Sequence, residues 1–275
     1  MSIAESVGPY YKAVGDEVQI FRAAWRTRRS LMLKGPTGCG KTRLVEAMAA
    51  ELGRPLITVS CHEDLSAADL LGRYLLKGGE TVWMDGPLTR AVREGAICYL
   101  DEIVEARADT TVAIHSLTDH RRQLHVERLG QTLSAAPGFM LVISFNPGYQ
   151  SILKDLKPST RQRMLSVEMA YPPAEIEVGI IARESGADRS LAEDLVRLGT
   201  AIRRLDIAGL PEVSSTRSLI ATADLIRDGM SPRIAVQAGM VGPLCDDKAI
   251  TSALMKIVDT YMPQVIEAEV ASIRL

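Results

Sequence analysis

The sequence predicts an α/β domain built on a parallel sheet, followed by a smaller domain made only of helices. Two near-continuous apolar runs, AICYL (96–100) and FMLVIS (139–144), are typical of central strands covered on both faces. Strand-like and helix-like segments alternate around them, as in α/β folds. After the break at Tyr171-Pro172-Pro173 only helical spacing remains. We therefore expect one domain over 1–170 and a second over 171–275.

Each element of the first domain has a local signal. Apolar residues on one face predict a helix over 16–29, and Gly78-Gly79 between two apolar arms predicts a hairpin over 73–86. Pro87 near a first turn and Gly95 after the last one bound a short helix. The remaining predictions are strands at 31–33, 55–60 and 164–169, helices over 44–52 and about 108–119, and a second hairpin over 122–135.

The second domain has five predicted helices. Gly186 and Gly229 are placed to end two of them. The predicted ranges are 174–185, 190–205, 216–228, 232–240 and 246–261.

The composition bounds the possible function. The chain has 275 residues, is 47% apolar and carries a formal net charge of −2, which gives no reason to expect nucleic acid as a partner. No apolar run approaches the roughly 18 to 20 residues of a spanning helix, and the N-terminus lacks the order of a signal peptide. We expect a cytoplasmic protein without membrane insertion. The four Cys and four His lack metal-ligand spacing, so a zinc site is disfavoured.

The segment GPTGCGKT (35–42) matches a phosphate-binding loop between a strand and a helix. Its glycines let backbone N–H groups converge on phosphates, Lys41 reaches the β- and γ-phosphates, and the Thr42 hydroxyl binds Mg²⁺. The alternative is a glycine-rich turn that binds nothing. The predicted ATP-binding residues are Gly35, Pro36, Thr37, Gly38, Cys39, Gly40, Lys41 and Thr42.

A second element of a nucleotide site, a pair of acidic residues, follows the strand at 96–100. Asp101 would orient Mg²⁺, and Glu102 is placed to polarise the attacking water as a general base. An ordinary helix N-terminus, which also favours carboxylates, is the alternative. The phosphate-binding loop earlier in the chain favours the catalytic interpretation.

Four further residues are candidates for the reaction. Asn146 follows the strand at 139–144 and could hold the water or sense the γ-phosphate, although it also fits an Asn-Pro turn. Arg161 and Arg163 could stabilise transition-state charge on a neighbouring subunit's nucleotide, whereas a solvated helix face is the local alternative. Arg217, on the first turn of a helix capped by Ser/Thr, could reach the γ-phosphate.

In this order and at these spacings, the motifs resemble an AAA+ ATPase. The hairpin-like insertions at 73–86 and 122–135 resemble those of the MoxR branch. The stretches LKGPTGCGKTRLVE, DLLGRYLLKGGETVWMDGPLTRAVREGAICYLDEIVEAR, FMLVISFNPGYQSILKDLKPSTRQRM and YPPAE resemble the CbbQ/NorQ group. The resemblance covers about residues 10 to 262.

The resemblance implies a strand order of 5-1-4-3-2, a helical lid and a homo-hexamer with ATP and Mg²⁺ at each subunit interface. Asn146 would be the first sensor, Arg217 the second, and Arg161 or Arg163 the arginine finger. The hairpin at 73–86 would face the pore or the partner. Such a motor works with an adaptor carrying a von Willebrand factor A domain and remodels an enzyme.

The expected client is Rubisco inhibited by tightly bound sugar phosphates. One alternative is the same motor activating nitric oxide reductase or assisting gas vesicle assembly. A phosphate-loop small-molecule kinase is a more distant alternative, because it leaves Asn146, Arg217 and both hairpins without a role.

Overall fold

The computed structural model describes residues 8–147, 156–205 and 213–261. The chain forms two compact units. The first unit covers Met1–Pro36 and Lys41–Ala170, and the second covers Thr37–Gly40 and Tyr171–Leu275. Over the three described ranges, no helix combines the length and the apolar character needed to cross a membrane.

The first unit alternates strands and helices along the chain. Its elements are α1 (Glu17–Arg26), β1 (Leu31–Lys34), α2 (Lys41–Glu51), β2 (Leu56–Ser60), α3 (Ala67–Leu71), β3 (Gly72–Lys77), β4 (Glu80–Asp85), α4 (Pro87–Glu94), β5 (Ile97–Asp101), α5 (Ala108–Ile114), β6 (Gln123–Val126), β7 (Gln131–Ser134), β8 (Met140–Phe145), α6 (Pro158–Arg161) and β9 (Leu165–Glu168).

Five of these strands form one parallel sheet in the order β2-β5-β8-β1-β9. Counting only these strands along the chain and starting from β9, the order is 5-1-4-3-2, so the predicted topology is confirmed. All six residues of β8 are buried, as are the first four of β5. Burial on both faces explains why the two central strands read as continuous apolar runs.

Two antiparallel hairpins are inserted in the chain between strands of the parallel sheet, as predicted. In β3–β4 the two turn residues, Gly78 and Gly79, have φ values of 62° and 87°. Positive φ at both positions is the requirement of the tight hairpin turn that matches strand twist. The second hairpin pairs β6 with β7.

The helix before β5 shows how local signals set an element's ends. Pro87 occupies its first turn, and Gly95 ends it in the left-handed conformation, with φ of 69°. A side chain at Gly95 would also bring its Cβ within 2.3 Å of the Pro137 carbonyl oxygen. The helix predicted over about 108–119 is shorter than expected: α5 stops at Ile114, and a 3₁₀ turn covers His115–Leu117.

From Tyr171 onward, the described residues form helices joined by turns, without a strand. Its longer elements are α7 (Ala174–Ser185), α8 (Arg189–Arg203), α9 (Thr216–Arg227), α10 (Pro232–Val236) and α11 (Lys248–Tyr261). The helix predicted over 232–240 changes to a π turn at Gln237–Val241. There Gly239 packs so closely on α9 that an added Cβ would lie 2.3 Å from the Thr222 hydroxyl.

The core of the second unit contains a buried ion pair. The Arg203 guanidinium donates two hydrogen bonds, of 2.8 and 2.7 Å, to the carboxylate of Glu177. The same carboxylate accepts a 2.6 Å bond from Thr216, and Arg203 also donates to the Ser214 carbonyl. The glutamate side chain is 1% exposed, so this network ties the start of α9 to α7 and α8.

Candidate active site

The phosphate-binding loop connects β1 to α2. Gly38 and Gly40 adopt positive φ values of 70° and 101°, which explains the need for glycine at both positions. Lys41 begins α2, and its ammonium group donates hydrogen bonds to the carbonyls of Gly35, at 2.8 Å, and Pro36, at 3.1 Å. The lysine is 6% exposed, so its charge is held inside the loop.

Asp101 ends β5 opposite the start of α2. Its Oδ2 atom lies 3.4 Å from Oγ1 of Thr42, which places a carboxylate and a hydroxyl side by side. Mg²⁺ prefers oxygen ligands and is usually held by one or two carboxylates together with waters and phosphate oxygens. The pair therefore fits Mg²⁺, and Thr42 and Asp101 are the residues that would hold it.

Glu102 adopts a left-handed backbone conformation, with φ of 53° and ψ of 49°. This conformation is uncommon for a residue other than glycine. The carboxylate Oε1 lies 3.7 Å from the Lys41 ammonium. Burial raises the pKa of Glu102, and Asp101 adds to this effect, whereas Lys41 opposes it. A raised pKa suits a residue that must accept a proton near neutral pH.

Asn146 follows β8 and is 7% exposed. Its backbone N–H bonds to the Glu102 carboxylate and acts to lower the pKa of that group. The structure thus brings Lys41, Thr42, Asp101, Glu102 and Asn146 together in the first unit.

The two candidate finger arginines lie at and just after α6. Arg161 is the last residue of that helix. Arg163 donates to Oδ2 of Asp119, at 3.2 Å, and to the His115 carbonyl, at 3.4 Å, so it contacts the connection between α5 and β6. Arg121 and, more weakly, Arg163 lower the pKa of Asp119 to about 2.

Arg217 lies in the second unit and is exposed on the first turn of α9. Ser215 caps this helix by accepting a 3.2 Å hydrogen bond from the Ser218 N–H. The neighbouring Thr216 is anchored to the buried Glu177. The start of α9, which carries Arg217, is therefore fixed by buried polar contacts.

The site residues predicted from the sequence do not include Tyr99 and Ser144, two residues whose hydroxyls donate hydrogen bonds to Asp101. The Tyr99 hydroxyl donates to Oδ1 of Asp101 at 2.7 Å, and the Ser144 hydroxyl donates to the same atom at 2.5 Å. Burial and the Asp101 charge raise the pKa of Tyr99. Both residues stand in apolar strands, two positions before Asp101 and Asn146 respectively. Residues two positions apart in a strand point to the same face, so this spacing is the sequence signal that could have indicated Tyr99 and Ser144 as site residues.

Two family descriptions match successive parts of the chain. Residues 30–164 match the AAA domain (dynein-related subfamily), and residues 177–261 match the CbbQ/NirQ/NorQ C-terminal family. Among solved structures, a RuvB mutant from Thermotoga maritima is similar, with a TM-score of 0.55 over 90% of this chain and 69% of that one. At 16% identity, this likeness concerns the fold alone.

Three relatives are similar over nearly their whole length. Denitrification regulatory protein NirQ from Pseudomonas aeruginosa is 58% identical over 92% of this chain and 98% of its own. Protein NorQ from Paracoccus denitrificans is 60% identical, with coverage of 90% and 91%. Protein CbbQ from Hydrogenophilus thermoluteolus is 53% identical, with coverage of 92% and 94%. The chain therefore belongs to the CbbQ/NirQ/NorQ family of AAA+ ATPases.

Proposed function

We propose that this ATPase is a ring-forming motor that uses ATP hydrolysis to remodel a partner enzyme. The observation that carries the proposal is the cluster formed by the start of α2 and the ends of β5 and β8. It combines the buried Lys41, the Thr42–Asp101 oxygen pair and a glutamate whose pKa is raised by burial. A phosphate cradle, metal ligands and a general base are the parts that hydrolysis of ATP to ADP and phosphate needs.

Each residue has a distinct part in this reaction. Lys41 binds the β- and γ-phosphates, and the loop N–H groups complete the cradle. Mg²⁺ held by Thr42 and Asp101 would supply positive charge to the same phosphate oxygens. Glu102 accepts a proton from the attacking water while Asn146 orients that water.

The ring assignment rests on the family. We propose that the first unit binds the nucleotide, that the second is a lid carrying Arg217, and that six copies assemble. In the ring, Arg161 or Arg163 would contact the γ-phosphate of a neighbouring copy. An arginine supplied from another chain raises the rate by roughly 10³ to 10⁵ in related phosphate-loop enzymes, so hydrolysis would depend on assembly.

The β3–β4 hairpin is the surface best suited to contact a client or an adaptor with a von Willebrand factor A domain. Leu76 is 79% exposed, and Val82 and Met84 are 45% and 47% exposed. Apolar side chains this exposed on a projecting ribbon are typical of interaction sites. We expect Leu76→Ser to leave basal ATPase activity intact and to reduce its stimulation by the client.

Two clients are proposed. The first candidate is Rubisco bound to inhibitory sugar phosphates, the client that resemblance to the CbbQ members implies. Activation of nitric oxide reductase is the second candidate, because the NirQ and NorQ relatives, at 58% and 60% identity, are somewhat more similar than the CbbQ relative at 53%. The nucleotide site itself carries no information about the client.

The decisive experiment compares both clients with matched adaptors from the same organism. Inhibited Rubisco is mixed with the ATPase, its adaptor and ATP, and carboxylation is followed over time. In parallel, nitric oxide reductase is produced with or without the ATPase and assayed. The Glu102→Gln variant is the control in both arms. Recovery of Rubisco no faster than spontaneous release would contradict the first candidate, and an unchanged reductase would contradict the second.

A further inference from the structure

The hydrogen bonds around Asp101 are unequally divided between its two carboxylate oxygens. Oδ1 accepts from both the Tyr99 and the Ser144 hydroxyls. Oδ2 faces the Thr42 hydroxyl at 3.4 Å. The carboxylate is therefore fixed with one oxygen turned toward the sheet interior and the other toward the start of α2.

The two hydroxyl residues reach Asp101 from different strands, Tyr99 from β5 itself and Ser144 from the adjacent β8. Tyr99 lies two residues earlier on β5, so its side chain is on the same face as that of Asp101. On the adjacent strand, the last paired residues are Leu100 and Ile143, which puts Ser144 directly beside Asp101. The tyrosine and serine hydroxyls also lie 3.0 Å from each other.

Ser144 makes a second contact that Tyr99 does not. Its oxygen accepts a 3.1 Å hydrogen bond from the backbone N–H of Glu102, the residue held in the left-handed conformation. A hydroxyl has one proton to donate and lone pairs to accept, and Ser144 uses both kinds. One side chain thus links the metal carboxylate to the backbone of the general base.

Packing alone does not account for these two residues. Both are 0% exposed, in strands whose other buried positions are mainly apolar. Phe at position 99 and Ala or Val at position 144 would fill the space without a buried hydroxyl, but they would remove the bonds to Oδ1 of Asp101 and to the Glu102 N–H. The two buried hydroxyls point to a role at Asp101.

We propose that Tyr99 and Ser144 are positioning residues for hydrolysis: both hydroxyls orient Asp101 toward Mg²⁺, and Ser144 also fixes Glu102. The proposal rests on the metal and base roles given to Asp101 and Glu102 under the proposed function. It separates the two residues. The Tyr99 hydroxyl contacts only the metal side of the site, at Asp101 and, 3.4 Å away, at Thr42, whereas Ser144 contacts Asp101 and the backbone of the base.

The test measures metal binding and turnover separately. Mn²⁺ serves as a spectroscopic substitute for Mg²⁺ and is titrated into the complex of the protein with a non-hydrolysable ATP analogue. The concentration of free Mn²⁺ is measured by electron paramagnetic resonance. For Tyr99→Phe we expect Mn²⁺ binding to weaken roughly 10-fold, the lower end of the usual effect of removing a partner of a metal ligand. Its kcat at saturating Mg²⁺ should stay within about threefold of wild type, because Glu102 is untouched.

For Ser144→Ala we expect the same loss of Mn²⁺ affinity and, in addition, a kcat at saturating Mg²⁺ lowered by roughly 10-fold or more. Tyr261→Phe and Ser190→Ala, both at exposed positions, are the matched controls and should change neither quantity. A purely packing role would not produce this split between the two variants.

Asp101→Asn separates failure of this proposal from failure of the proposed function. If Asp101→Asn leaves Mn²⁺ binding unchanged, the metal role of Asp101 is wrong, and the positioning proposal is overturned with it. If Asp101→Asn weakens binding while Tyr99→Phe and Ser144→Ala do not, only the positioning proposal is overturned. Should Ser144→Ala fail to fold, Tyr99→Phe, which preserves the ring, decides alone.

Discussion

Lys41 and Glu102 form an ion pair across the candidate active site, with Nζ and Oε1 3.7 Å apart. The lysine is held by two loop carbonyls. The Glu102 carboxylate bonds to the Asn146 backbone N–H, and the N–H of Glu102 itself donates to the Ser144 hydroxyl. A phosphate-binding cation and a candidate base are thus fixed next to each other by elements distant in sequence.

Glu102→Gln should retain ATP binding and abolish turnover. The amide keeps the size of the side chain but cannot accept the proton of the attacking water, and loss of a general base typically lowers the rate 10² to 10⁴-fold. Binding is measured with a fluorescent nucleotide and turnover by phosphate release. Lys41→Ala is the contrasting variant, because it should weaken binding itself. A Gln variant that keeps more than about a tenth of wild-type kcat would show that Glu102 is not the base.

The pH dependence of kcat should report the burial of Glu102. The base works only when deprotonated, and burial raises its pKa above the ordinary range for glutamate, with Lys41 opposing the effect. Activity should therefore fall as pH decreases, starting at a higher pH than an exposed glutamate would require. The measurement is kcat at saturating ATP and Mg²⁺, with circular dichroism verifying the fold at each pH. An acidic limb placed at the ordinary glutamate value would contradict this prediction.

Arg161→Ala and Arg163→Ala test whether either arginine acts on a neighbouring copy. The finger variant should lower turnover in rings that still form. Mixing it with Lys41→Ala subunits should restore part of the activity, because each subunit type supplies the group that the other lacks. Mixed rings are verified by native mass spectrometry.

Arg163 also contacts Asp119 within its own chain, so Asp119→Ala is the control for an effect of Arg163→Ala on local structure. If Arg163→Ala lowers activity only through that contact, Asp119→Ala should have the same effect, and neither should be rescued by mixing. Absence of rescue for both arginine variants in confirmed mixed rings would rule out a finger in trans at either position.

Glu177→Gln should destabilise the protein strongly. The variant leaves Arg203, whose side chain is 12% exposed, without its carboxylate partner, and breaking a buried ion pair typically costs roughly 3 to 5 kcal/mol. The free energy of unfolding is measured by urea denaturation. Glu175→Gln is the matched control: that glutamate pairs with Arg189 at 84% side-chain exposure, where such pairs contribute about 1 kcal/mol or less. Equal effects of the two variants would contradict the prediction.

The fold was predictable because its signals are local. Burial of β5 and β8 on both faces produced unbroken apolar runs, and the break at Pro172-Pro173 separated them from the helical region. Where local signals compete with packing, prediction was less accurate. The helix ending early at Ile114 and the π turn after Val236 depend on contacts with other elements, which periodicity does not encode.

The site was predictable where a motif fixes spacing and unpredictable where strand register brings residues together. Lys41, Thr42, Asp101 and Glu102 stand in recognisable motifs, and the structure places them side by side. Ser144 reaches Asp101 only because β8 pairs with β5 in one register, which the sequence of either strand alone does not determine.

The position of β1 in the sheet bears on how the chain is made. It is the first sheet strand in the sequence, yet its neighbours are β8 and β9, so Leu31 pairs with Val142 and Leu165. During synthesis on the ribosome, β1 emerges early, but neither of its edges can pair until β8 or β9 has emerged, which is after most of the first unit. Such long-range parallel pairing slows folding and leaves an apolar strand exposed to aggregation meanwhile. The nascent chain should therefore depend on general chaperones before it can bind its first nucleotide.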